Sequence, residues 1–188
     1  MVSFDENPGL GPGLAFVARM HRLLPGQAIG LVQCLKGGST MEMWRQSKGR
    51  DTLFGSCLAR ANEVRRNGRI AGILWYQGES DASSELAARG WDKGFADFAA
   101  AFRKALDIPD LPIVYAQLGN ISKERFSTPK FAYWLLVKEV QAKVIGPNLA
   151  MISADKFELS GDGIHLTTRG YLRLGREFAN IMKQQITR

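Results

Sequence analysis

Ile70-Ala71-Gly72-Ile73-Leu74-Trp75-Tyr76 is a short apolar run that stops abruptly at Gln77-Gly78-Glu79-Ser80-Asp81. A run of this length, with Gly68 before it and polar residues after it, predicts a strand buried on both faces. Such strands belong to parallel sheets, where crossover helices hide both faces. The rest of the chain repeats the alternation. Apolar runs at 28–35, 112–118 and 149–153 predict three more strands. Helical spacing links Phe16, Met20, Leu23 and Leu24 over 14–24, and Phe54, Leu58, Ala61 and Val64 over 51–67. Over 85–106, Trp91, Phe95, Phe98 and Phe102 stand at spacings of four, three and four, read as a core face rather than a ligand groove. Trp134, Val137 and Val140 mark another helix, and Tyr171, Leu174, Phe178, Ile181 and Met182 mark the last, over 167–185. The predicted fold is α/β: a three-layer αβα sandwich with right-handed crossovers and a mostly parallel sheet.

The chain has 188 residues, which suits one domain over 1–188 with a core large enough to need no staple. Its composition, 45% hydrophobic and 23% charged, excludes disorder and coiled coil. No apolar run approaches the ~20 residues of a membrane span. Residues 1–13 have no charged stretch leading into an apolar one, so no secretion signal is read there, and Asn7-Pro8-Gly9 and Gly11-Pro12-Gly13 predict a loop. The net charge is +7. Its densest groups, Lys36, Arg45, Lys48 and Arg50, then Arg60, Arg65, Arg66 and Arg69, are not interleaved with aromatic residues, so they are read as a solvated surface. Cys34 and Cys57 form no metal motif and sit in apolar stretches, which predicts buried free thiols.

In parallel sheets the working residues gather beyond the carboxyl ends of the strands. Three polar clusters lie there: Lys36-Gly37-Gly38-Ser39-Thr40, Gln77-Gly78-Glu79-Ser80-Asp81, and Asp162-Gly163-Ile164-His165-Leu166-Thr167. A carboxylate three residues before an imidazole can fix its tautomer and leave the other ring nitrogen free as a general base. Asp162 and His165 have that spacing, which an ordinary helix start capped by Thr167 or Asp162 would show equally. The other histidine, His21, lies between Arg19 and Arg22 on a helix and is read as solvent-facing. Gly37-Gly38 would let backbone amides approach a ligand, and Gln77 carries an amide that could donate to an oxyanion.

Taken together, the clusters carry a resemblance. Trp75-Tyr76-Gln77-Gly78-Glu79-Ser80-Asp81 resembles the W-Y-Q-G-E-S-D block of the sialate O-acetylesterase and acetylxylan esterase family, carbohydrate esterases of the SGNH hydrolase superfamily. Gly11-Pro12-Gly13 to Phe16, Gly30-Leu31-Val32 to Gly38 with Trp44, Val137-Lys138-Glu139-Val140-Gln141, and Asp162-Gly163-Ile164-His165-Leu166 resemble further blocks of that family, in order. The resemblance implies a serine esterase that removes acetyl groups from sugars, with a flavodoxin-like sheet and no metal or other cofactor. It implies Asp162 and His165 as the acid–base pair, Gly38 and Gln77 as oxyanion donors, and Glu79 as a brace behind the loop. The implied partner is an acetylated carbohydrate, with neither nucleic acid nor membrane.

The family's nucleophile lies in a G-Q-S-N block at the end of the first strand. This sequence has no such block; Gly26-Gln27-Ala28-Ile29 carries alanine in the serine's place. Ser39 and Ser80 are the local hydroxyls left to take the role. The first strand of the sheet is expected to be missing, and three outcomes are expected for the gap: direct pairing of the flanking strands, filling by another chain as in a homo-oligomer, or poor stability. A non-catalytic module holding a sugar ester, and a basic module for nucleic acid or acidic polysaccharide, are the alternative readings.

Overall fold

The computed structural model describes residues 11–187. In chain order its elements are α1 (Gly13–Leu23), α2 (Leu53–Val64), β1 (Ile73–Tyr76), α3 (Glu85–Arg89), α4 (Trp91–Leu106), β2 (Ile113–Gln117), α5 (Lys123–Phe126), α6 (Trp134–Ala142), β3 (Leu149–Ser153) and α7 (Thr168–Ile186). The loop expected over 1–13 lies outside the described residues except at its end, where Pro12 leads directly into α1. The long helix expected over 85–106 is two helices, because the chain breaks at Gly90, which ends α3 and starts α4.

The sheet is parallel, in the order β1-β2-β3, with Ile73 opposite Ile113 and Ile113 opposite Leu149. Successive side chains of β2 point to opposite faces, and both faces are covered. Ile113 and Tyr115 join Trp75, Phe95, Phe98 and Trp134 on the side of α2, α4 and α6. Val114 and Ala116 join Phe16, Leu174 and Phe178 on the side of α1 and α7. This is the αβα sandwich expected from the alternation. The aromatic stripe of α4 is core, as its spacing predicted: Trp91 stacks on Phe95 at 5.0 Å, and Phe98 packs on Trp75 at 4.4 Å.

The strand expected over 28–35 does not form. An apolar run becomes a strand only where a neighbour takes its backbone groups, and the described residues put none beside it. Leu31 and Leu35 are exposed instead, at 40% and 66%. Direct pairing of the flanking strands is therefore not the outcome, and the outer edge of β1 has no strand partner among the described residues. The cysteines correct a second expectation. They are bonded to each other rather than free, because residues 28–35 fold back along α2 and bring the two Cα atoms to 5.4 Å. Arg60 on α2 adds a 2.6 Å hydrogen bond to the Gln33 carbonyl.

The disulfide closes a loop with a sequence separation of 23 residues. Chain entropy then sets a stabilisation of about 3 kcal/mol. Cys34→Ala/Cys57→Ala is expected to lower the unfolding free energy by about that amount in urea titration. A loss below about 1 kcal/mol would show that the segment is held mainly by its other contacts.

Candidate active site

Two of the three polar clusters lie past strand ends, the second directly after β1 and the third beyond β3; the first follows the run at 28–35, which forms no strand. The third is built around Asp162. Its Oδ1 accepts from the Ser160 hydroxyl at 2.7 Å and from the backbone N–H groups of Ile164 and His165, both at 2.9 Å. Its Oδ2 faces His165 Nδ1 at 2.5 Å. Partial burial opposes the charge on Asp162, but these donors outweigh it and hold the carboxyl well below its ordinary range. An ionised carboxylate only accepts, so the ring must donate its Nδ1–H, leaving Nε2 as an acceptor. His165 is 59% exposed, and Nε2 has no hydrogen-bond partner among the described residues. The helix-start reading of this segment also holds, through the first of its two named residues: Thr167 caps α7 by accepting from the Gly170 N–H at 3.0 Å.

Arg125 donates to the Asp162 carbonyl at 2.8 Å, and the Ser122 N–H bonds the Gly163 carbonyl at 2.9 Å. Both come from the segment after β2, so the Asp162–His165 turn is fastened from outside as well as from within.

The second cluster starts where β1 ends. Gly78 has φ +139°, and a Cβ there would lie 2.7 Å from Gln141 Nε2 and 3.1 Å from Val137 Cγ1, so α6 packs against bare backbone. Gln77 is buried, and its amide is fully committed. Nε2 donates to the Ser39 carbonyl at 2.8 Å and to Asp81 Oδ2, while Oε1 accepts from Trp91 Nε1 at 3.1 Å. With both amide hydrogens spent, Gln77 in this conformation ties the second cluster to the first, and donation to an oxyanion would need one of those bonds to open. Asp81 completes the tie by accepting from the Met41 N–H at 3.0 Å.

Glu79 is half-buried, close enough to sense the charge of His165 and to raise the Tyr171 hydroxyl. Burial pushes Tyr171 up to about 12, with Glu79 adding to it. Burial also pushes the Glu79 carboxyl up; backbone N–H groups and His165 offset only part of this. A carboxyl raised on folding contributes stability below its unfolded value of about 4.3 and loses it as pH rises. The melting temperature of Glu79→Gln, relative to the parent chain, is therefore expected to increase from pH ~4 to pH ~7. A difference that stays constant over that range would show that Glu79 does not titrate against folding.

Gly38 takes a left-handed conformation, φ +68°, and a Cβ built on it would sit 4.0 Å from the Ser80 hydroxyl, so the first two clusters meet. Ser39 is turned the other way: it is buried, and its hydroxyl accepts from Trp44 Nε1 at 3.1 Å. Neither Ser39 nor Ser80 hydrogen-bonds His165 among the described residues. The residues that sequence reasoning passed over are those that lock the clusters together: Asp81, Trp91, Arg125, Ser160 and Gln141. Asp81, Trp91 and Gln141 stood within quoted stretches but were given no such role, while Arg125 and Ser160 had no signal in the sequence.

Residues 2–184 match the family model described as carbohydrate esterase, sialic acid-specific acetylesterase. The chain belongs to that family. A probable carbohydrate esterase of Arabidopsis thaliana is 31% identical over 174 residues, an alignment covering 91% of this chain and 62% of that protein. A solved Arabidopsis thaliana structure superposes with a TM-score of 0.86 at 28% identity, covering 98% of this chain and 73% of that one. A carbohydrate acetylesterase from Xanthomonas citri shares the fold, with a TM-score of 0.73 at 22% identity over 93% of this chain and 40% of its own. The chain thus spans less than two thirds of the curated carbohydrate esterase it matches. No helix among the described residues is long and apolar enough to cross a membrane.

Proposed function

We propose that this chain carries the acid–base half of an acetyl-ester hydrolase acting on carbohydrate. The observation that supports the reading most is the Asp162–His165 pair, with Nδ1 fixed by an ionised carboxylate and Nε2 open to a substrate. In the proposed reaction Nε2 takes the proton of an attacking hydroxyl as the carbonyl becomes tetrahedral. It then returns that proton to the departing sugar oxygen, and acetate is the product after hydrolysis. The imidazolium formed between the two steps rests against Asp162. The Gly38 amide, at the rim beside Ser80, is the proposed oxyanion donor, and Gln77 and Glu79 hold the loops around it.

A second reading is supported by one fact: among the described residues no hydroxyl bonds His165 Nε2. On that reading the pocket holds a sugar ester without cleaving it. Acetate release from O-acetylated xylo-oligosaccharides, followed by proton NMR with the purified chain, separates the two. Release above the buffer rate supports the hydrolase. Binding of the oligosaccharide without release overturns it in favour of the second reading.

A further inference from the structure

Three cations of the two densest basic groups, Lys48 and Arg50 from the first and Arg66 from the second, line one groove. It runs along α2 where Ala105 of α4 comes alongside, with a volume of about 720 Å³. Gly55, Leu58, Ala59, Asn62, Glu63 and Arg66 line it at helical spacing, so it follows the helix axis. The 12 residues of α2 span about 18 Å. Lys48 and Arg50 stand before its first turn and Arg66 after its last, so cations mark both ends.

These cations are left unneutralised. Arg45, Arg89, Lys93, Lys138, Lys143 and Lys156 each face a carboxylate. Among the described residues Lys48, Arg50 and Arg66 have no ion pair, and Glu63 is the one carboxylate on the lining. The lining also offers the amides of Gln46 and Asn62 and an apolar part that includes Leu58, Ala59 and Ala105. Phe54 also lines the groove but is only 1% exposed, so no aromatic face is open for a base to stack on.

We propose that this groove binds an acidic polysaccharide, a chain of carboxylated sugars, separately from the ester site. Spaced carboxylates would meet the terminal cations, sugar hydroxyls the amides, and sugar C–H faces the apolar part of the lining. Exposed charge pairs are individually weak, so the affinity comes from engaging several along one chain.

The test uses polygalacturonate as the probe and neutral xylan as the control, by biolayer interferometry at about 50 and about 300 mM NaCl. The parent chain is expected to bind polygalacturonate in preference to xylan, at least about tenfold more weakly at the higher salt. Lys48→Gln/Arg50→Gln/Arg66→Gln is expected to lose about tenfold or more in affinity. Arg89→Gln/Lys93→Gln/Lys143→Gln changes the net charge equally on other surfaces and is expected to retain binding. Thermal melts confirm that both variants fold. Equal losses in the two variants would reduce the effect to net charge and overturn the site. Absence of binding, or equally tight binding of an oligothymidylate of matching charge, overturns it as well. His165→Ala is expected to bind polygalacturonate unchanged, so failure of the hydrolase reading leaves this result standing.

Discussion

On the proposed hydrolase reading, His165→Ala is expected to lower acetate release by about two to four orders of magnitude while leaving the melting temperature almost unchanged. The ring is 59% exposed, and its one side-chain bond is to Asp162 Oδ2. Removing it leaves the three bonds to Oδ1 in place, so the loop keeps its shape and loses what the proposed reaction uses as its base. Asp162 is a different case. Asp162→Asn keeps an oxygen for Ser160 and the two backbone N–H groups, but it no longer offers an ionised acceptor to Nδ1. It is expected to lose rate more than stability, whereas Asp162→Ala loses both. Folding depresses the Asp162 carboxyl, so its contribution is present above the unfolded value of about 3.9 and is lost only as pH falls below it. Progress curves beside thermal melts, at neutral pH, check the series. If His165→Ala retained a rate within a factor of about three of the parent, the general base would have to be another group.

Gln141→Ala is expected to be the most destabilising single substitution at this rim, by about 4 kcal/mol. The side chain is completely buried. Its Nε2 donates to the Gln77 carbonyl at 2.9 Å, and its Oε1 accepts from the Leu118 N–H at 2.7 Å. One amide thus satisfies the backbone just past β1 and just past β2. Alanine strands both groups out of water, each at about 1–3 kcal/mol, and adds a cavity. Gln141→Met nearly keeps the volume but not the bonds. The gap between the two variants in urea denaturation therefore measures the cavity, and the loss common to both measures the unsatisfied backbone. If Met restored parental stability, the hydrogen bonds would contribute little, and this account of the rim would fail.

The layered fold was legible because each element carries its own period. The continuous apolar run of β2 and the Trp91–Phe102 spacing in α4 are local facts that tertiary structure had no reason to override. The run at 28–35 misled because composition records a tendency to be buried, not the presence of a strand alongside. Cys34 and Cys57 misled because their meeting depends on the path of a loop. At the site, the Asp162–His165 contact was legible from three-residue spacing. Gln77 was found, but with its amide engaged inward: the partners Ser39, Asp81 and Trp91 come from separate segments, and their convergence has no signature in any one of them. The basic groups were visible as composition. That Lys48 and Arg66 border one groove became visible only once α2 was placed between them.

The Cys34–Cys57 bond has a consequence for how the molecule matures. The cross-link encloses the stretch that contains Gly37, Gly38 and Ser39, so one wall of the rim belongs to a ring of chain closed by chemistry rather than by packing. Peptide synthesis alone does not make such a ring. It comes into being when two thiols lose their hydrogens to an oxidant, on a timescale set by the surroundings. Newly made chains and matured chains would then be distinct chemical species of one sequence, differing by two hydrogen atoms. The order in which oxidation and folding occur would decide whether the wall is set before or after the sheet behind it.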